Sequence, residues 1–111
     1  MQIQSKEQDR YMLHRIEGEV DLYNSGVLKS ALMNAFAANG KNILLDLSAM
    51  VYIDSTGMSV LFQTATQLRE AKKDLKVFGA TPAVMSVLSM VNVPGKLQIC
   101  QTEEEAAMFF R

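Results

Sequence analysis

Three large apolar residues in a row, Ile43-Leu44-Leu45, sit inside the short segment Asn42–Leu47 and constrain this chain more than any other feature. An unbroken apolar run of this length, with Asn39-Gly40 before it and Ser48 after it, reads as a strand covered on both faces. A doubly covered strand points to a layered α/β domain.

The flanking segments fit that class. Gln2–Lys6 and Tyr11–Gly18 alternate, with Met12, His14 and Ile16 on one side, and the polar turn Glu7–Arg10 makes them an antiparallel hairpin. After Gly18-Glu19-Val20-Asp21 the rhythm becomes helical through Val27, Leu28, Ala31, Leu32, Ala35 and Phe36, ended by Asn39-Gly40. Ser48–Asp54 reads as a loop. Ser55-Thr56-Gly57 then opens a second helix to about Lys73, with Met58, Leu61, Ala65 and Leu68 inward. Leu75–Phe78 is a strand, and Thr81-Pro82 starts a helix whose stripe is Val84, Val87, Leu88 and Val91, with Pro94-Gly95 as its stop. Leu97–Cys100 is the last strand, followed by the capping-box spacing of Thr102 and Glu105. The expected order is β-β-α-β-α-β-α-β-α: one domain, residues 1–111, with a mixed sheet and about four helices. Helical crossovers imply parallel pairing of the later strands, but the strand order stays open.

Composition excludes several function classes. A net charge of −1 gives no cationic stripe for nucleic acid. No apolar run is long enough for a spanning helix, so no direct membrane insertion is expected. The N-terminus lacks the apolar core of a secretory signal, and the single cysteine, Cys100, forms no internal disulfide, which favours a cytoplasmic location. No phosphate-cradling glycine motif occurs, and one His with one Cys falls short of a zinc site, so no cofactor or metal is expected.

Catalytic arrangements fare no better. Gly57-x-Ser59 begins like a nucleophile elbow, but Leu61 stands where glycine is required, and His14 is the sole histidine. His14 reads as a structural strand residue and Cys100 as an inert thiol. Asp46, at the end of the central strand, resembles a receiver's phosphoacceptor, but the paired acids that would hold magnesium are missing. It reads instead as a brace for the loop leading to Ser55. The chain is therefore expected not to be an enzyme.

What remains is Ser55. A hydroxyl residue at a helix mouth serves as an N-cap, accepting an orphan helical N–H. The same position suits phosphorylation, because donors and positive potential face the added charge.

Here the sequence resembles a known family. Asp54-Ser55-Thr56-Gly57-Met58 after a buried strand, together with Gly18-Glu19-Val20-Asp21 after the second strand, resembles the STAS domain, above all the stand-alone bacterial anti-sigma factor antagonists. The resemblance covers essentially the whole chain. It implies a partner-switching cycle. The unphosphorylated antagonist binds an anti-sigma factor that is also a serine kinase; phosphorylation releases it, and a serine phosphatase restores it. Carried over, Ser55 is the phosphoacceptor. Asp54, Thr56 and Gly57 surround it, Asp21 lies on the neighbouring loop as a partner contact, and Tyr23, Asn24 and Met58 are further contacts. Ser59 departs from the pattern, which has glycine there, and leaves open whether Ser59 or Thr56 is modified instead. Some STAS domains are non-phosphorylated scaffolds in transporters or sensory complexes, and that is the alternative. Among eight methionines, Met58, Met85 and Met90 could form an adaptable contact surface or fill the core.

Overall fold

The computed structural model describes residues 1–91 and 97–110. Its elements are β1 (Gln2–Glu7), β2 (Tyr11–Val20), α1 (Ser25–Asn39), β3 (Asn42–Asp46), β4 (Met50–Ile53), α2 (Ser55–Glu70), β5 (Leu75–Phe78), α3 (Pro82–Val91), β6 (Gln98–Cys100) and α4 (Glu103–Met108). The α/β class and the mixed sheet are as expected. The sheet order is β1-β2-β3-β5-β6. β1 is antiparallel to β2, while β2–β3, β3–β5 and β5–β6 are parallel, as helical crossovers require.

Expectation and structure differ at Ser48–Asp54. This segment is not simply a loop: Met50–Ile53 forms β4, parallel to the C-terminal half of β2, with an irregularity between Gly18 and Glu19. The long β2 thus pairs with β3 along Tyr11–Arg15 and with β4 along Gly18–Val20. α2 stops at Glu70, before the expected Lys73, because Lys72 turns into the left-handed region at φ 62°. The expected Pro94-Gly95 stop lies outside the described residues.

Ile43, Leu45 and Leu47 pack beneath Leu28 and Leu32 of α1, Leu61, Ala65 and Leu68 of α2, and Val84 and Leu88 of α3. On the opposite face Leu44 meets Ala106 of α4 and Phe110 just beyond that helix, with Tyr11, Leu13 and Phe78 around them. The central strand is covered on both sides, the reason its apolar run is unbroken. Gly40, at φ 65°, closes α1 with its N–H on the Phe36 carbonyl. Thr102 caps α4 by accepting from the Glu105 N–H, while the Glu105 carboxylate accepts from the Gln101 N–H rather than from Thr102 itself.

His14 is buried on β2, facing the main core. Its Nδ1 lies 2.7 Å from the Ser5 Oγ across the hairpin, and its Nε2 has no hydrogen-bond partner among the described residues. Burial lowers its pKa below the ordinary value. The unfolded chain therefore takes up the proton first as pH falls, so the native state loses stability below about pH 6.5. His14→Leu is expected to flatten that part of the stability–pH curve, measured by urea unfolding between about pH 7 and pH 5.

Candidate functional site

The site is built where β2 and β4 end side by side. Their last paired residues are Val20 and Ile53, and the Asp54 N–H donates to the Val20 carbonyl at 3.1 Å. Asp54 is the N-cap of α2, in extended conformation. Its Oδ1 accepts from the Thr56 N–H at 2.9 Å, the Gly57 N–H at 3.0 Å and the Thr56 hydroxyl at 2.5 Å. Its Oδ2 accepts from the Leu22 N–H at 3.1 Å, on the loop between β2 and α1. One carboxylate thus fastens the helix mouth to the neighbouring loop. The Thr56 hydroxyl foremost, then the Gly57 N–H, holds the Asp54 carboxyl below the ordinary carboxylate range.

This corrects the expected cap. Asp54, not Ser55, satisfies the orphan donors, and Ser55 is the first residue of the helix. Ser55 is exposed, and its hydroxyl makes no hydrogen bond among the described residues. The Thr56 hydroxyl, by contrast, is half-buried and committed to Asp54. Ser59 lies one turn after Ser55 on the same helical face and is exposed, so its side chain in place of glycine meets no packing conflict.

Gly57 is buried, and its role is close approach. A Cβ there would lie 2.7 Å from Ile53 Cγ1 and 2.8 Å from Val20 Cγ1. Met58 needs a plain correction: it is 1% exposed and belongs to the core, so it offers no partner contact. It begins the inward stripe continued by Leu61 and Ala65, and that periodicity fixes its direction. Met85 packs against the core, whereas Met90 is 84% exposed, so the methionines do not form one surface.

The adjoining loop is equally ordered. The Asp21 Oδ1 accepts from the N–H groups of Tyr23 at 2.9 Å and Asn24 at 3.3 Å, and the Asp21 carbonyl accepts from Ser25 at 2.9 Å. Asn24 returns the contact through its Oδ1 to the Asp21 N–H and donates its Nδ2 to the Glu19 carbonyl. Asp21 and Asn24 therefore shape the turn. Tyr23, expected as a contact, is 92% exposed, and Leu22 beside it is 67% exposed. Sequence reasoning missed Leu22, as well as Tyr52, which is half exposed on β4 opposite Glu19. Two apolar residues between Asp21 and Asn24, in a segment of turn formers, were the available signal.

Asp46 braces its own turn, accepting from the Ser48 N–H at 2.9 Å. Burial raises the Cys100 thiol above its ordinary range, against the nearby Lys76 charge. Among the described residues, no helix is long and apolar enough to cross a membrane, and no three His, Cys, Asp or Glu side chains converge to hold a metal ion.

The STAS domain profile matches residues 2–106. The chain is 27% identical over 90 residues to the anti-sigma-B factor antagonist of Listeria monocytogenes, covering 81% of this chain and 79% of that protein. Among solved structures, an anti-sigma factor antagonist from Mycobacterium paratuberculosis superposes with a TM-score of 0.85 at 20% identity, covering 96% of this chain and 91% of the other. The antagonist SpoIIAA in its unphosphorylated form gives 0.79 at 18% identity over 96% and 93% of the two chains. SpoIIAA of Bacillus in the phosphorylated form gives 0.71 at 17% identity over 96% and 97%. With the profile spanning almost the whole sequence and the sheet and helices agreeing, the chain belongs to the STAS domain family.

Proposed function

We propose that this protein is an anti-sigma factor antagonist that binds an anti-sigma factor with serine kinase activity and is released when Ser55 is phosphorylated. The observation that carries the proposal is the free, exposed Ser55 hydroxyl on a helix mouth already capped by Asp54. The names of the relatives support the antagonist role, and a structural neighbour solved in unphosphorylated and phosphorylated forms supports the switch.

In the transfer, the Ser55 oxygen bonds to the γ-phosphorus of the partner's ATP, ADP leaves, and the hydroxyl proton is released. A phosphatase reverses this with water, returning the hydroxyl and free phosphate. This chain supplies a substrate hydroxyl and a contact surface, and the partners supply the catalysis. Thr56 is a poorer acceptor because its hydroxyl would first have to leave Asp54.

Incubating the protein with its cognate anti-sigma factor and Mg-ATP, followed by mass-spectrometric mapping, is expected to place one phosphate on Ser55. Ser55→Ala is expected to abolish labelling while still binding the partner. Undiminished labelling of that variant, at Ser59 or elsewhere, would overturn the assignment.

A further inference from the structure

Two hydroxyl residues stand side by side at the mouth of α2, and their hydroxyls are held differently. Ser55 is exposed, and its hydroxyl makes no hydrogen bond among the described residues. The Thr56 hydroxyl donates to the Asp54 Oδ1 at 2.5 Å, the shortest of the four bonds that this carboxylate accepts.

Phosphoryl transfer to a hydroxyl requires that its proton leave. For Thr56, the oxygen would bond to the γ-phosphorus of ATP, ADP would depart, and the proton would pass to Asp54 or to a base on the kinase. Asp54 is a poor base. The bonds it receives, from the Thr56 hydroxyl foremost, hold its carboxyl below the ordinary carboxylate range. A base on the kinase meets a proton already committed to Asp54.

The product is placed worse than the reactant. Phosphate on the Thr56 oxygen removes the donor from the 2.5 Å contact and sets a nearly doubly charged group against an ionised carboxylate. A charge-assisted hydrogen bond becomes a like-charge contact. The carboxylate is not free to turn away, because Oδ1 also accepts from the Thr56 and Gly57 N–H groups and Oδ2 from Leu22. Phosphate on the Ser55 hydroxyl breaks none of these bonds.

Extending the proposed function, on which this rests, we propose that Asp54 selects the phosphoacceptor: by engaging the Thr56 hydroxyl it reserves the transfer for Ser55. Asp54 acts through Thr56 and is a positioning residue rather than a catalytic one. The carboxylate at 54, and not the greater exposure of Ser55 or its lack of a methyl group, separates the two neighbours.

The test is labelling of the whole chain by its anti-sigma factor kinase with Mg-ATP, the phosphate being located by fragment mass spectrometry. Asn caps a helix as well as Asp does, so Asp54→Asn removes the charge and keeps the fold, as its thermal midpoint checks. In that variant the Thr56 share of the phosphate is expected to rise about 10-fold or more over the unaltered protein. A second arm starts from Ser55→Ala, which is expected to be unlabelled. Adding Asp54→Asn or Asp54→Ala should restore labelling, on Thr56, and adding Thr56→Val as well should remove it. Damage to the helix mouth lowers labelling and does not create it at a new residue. If neither double variant took phosphate on Thr56 while the unaltered protein was labelled at Ser55, selection by Asp54 would be overturned and the proposed function would stand. Ready labelling of Thr56 in Ser55→Ala, with Asp54 intact, would overturn it equally. If the unaltered protein took up no phosphate, the proposed function would fail first and the selection with it.

Discussion

Ser55→Glu is expected to lower affinity for the anti-sigma factor by about 100-fold or more, while changing folding stability by less than about 1 kcal/mol. The two effects separate because of where the serine stands. At the first position of α2 a carboxylate gains from the helix dipole, worth about 0.3–1 kcal/mol, and loses a similar amount to the neighbouring Asp54 charge. No cap is lost, because Asp54 and not Ser55 accepts the Thr56 and Gly57 N–H groups. In the proposed complex, an added charge would be buried where a neutral hydroxyl had been, a penalty of several kcal/mol. Titration calorimetry reads the first effect and urea unfolding the second. A variant that unfolds readily and binds weakly would mean that Ser55 is structural, contrary to its free hydroxyl.

Gly57→Val should destabilise the fold by about 2–3 kcal/mol, the cost of overpacking a rigid site. Even a single Cβ falls 2.7 Å from Ile53 and 2.8 Å from Val20, and both side chains are almost fully buried. Neither can move without disturbing the β2–β4 pairing, so the start of α2 must lift instead. Because Gly57 also donates to Asp54, the lift loosens the cap and with it the Leu22 tether. Chemical denaturation should register the stability loss. Phosphorylation at the proposed acceptor, Ser55, should slow in parallel, since its hydroxyl would no longer sit in one place. A Gly57→Val protein as stable as the parent would show that the junction is far softer than its contacts indicate.

The sequence made the layered fold legible through Ile43-Leu44-Leu45 and through the helical stripes that could face only a sheet. It did not reveal β4. Met50–Ile53 is four residues long, buried at its ends and exposed in its middle, so it neither alternates nor runs apolar. Its existence depends on the far half of β2, a pairing that no local pattern encodes. The site was legible as a motif but misjudged by one residue. Capping preferences rank Asp and Ser alike, so chemistry alone could not say which of Asp54 and Ser55 holds the helix. That single step decides whether the serine is structural or free. Met58 shows the opposite case, where helical period pointed inward and adjacency to the motif pointed outward; the period prevailed. Leu22 and Tyr52 carry no periodic signal, and their exposure emerges only when β2, β4 and the turn are assembled.

β1 occupies one of the two ends of the sheet, and residues Gln4, Ser5, Lys6 and Glu7 along it are all exposed, with Glu7 paired to Lys41 at 2.7 Å. A free strand margin is an invitation to any extended peptide, and polar, charged residues make the invitation poor. That matters for the proposed function, which turns on letting a partner go. A complex that is to dissolve on the addition of one phosphate, as proposed above, would need no second, indifferent grip to survive the change. Under the proposed cycle, the drab hairpin would help by staying unattractive, leaving the decision to hold or release at the other end of β2.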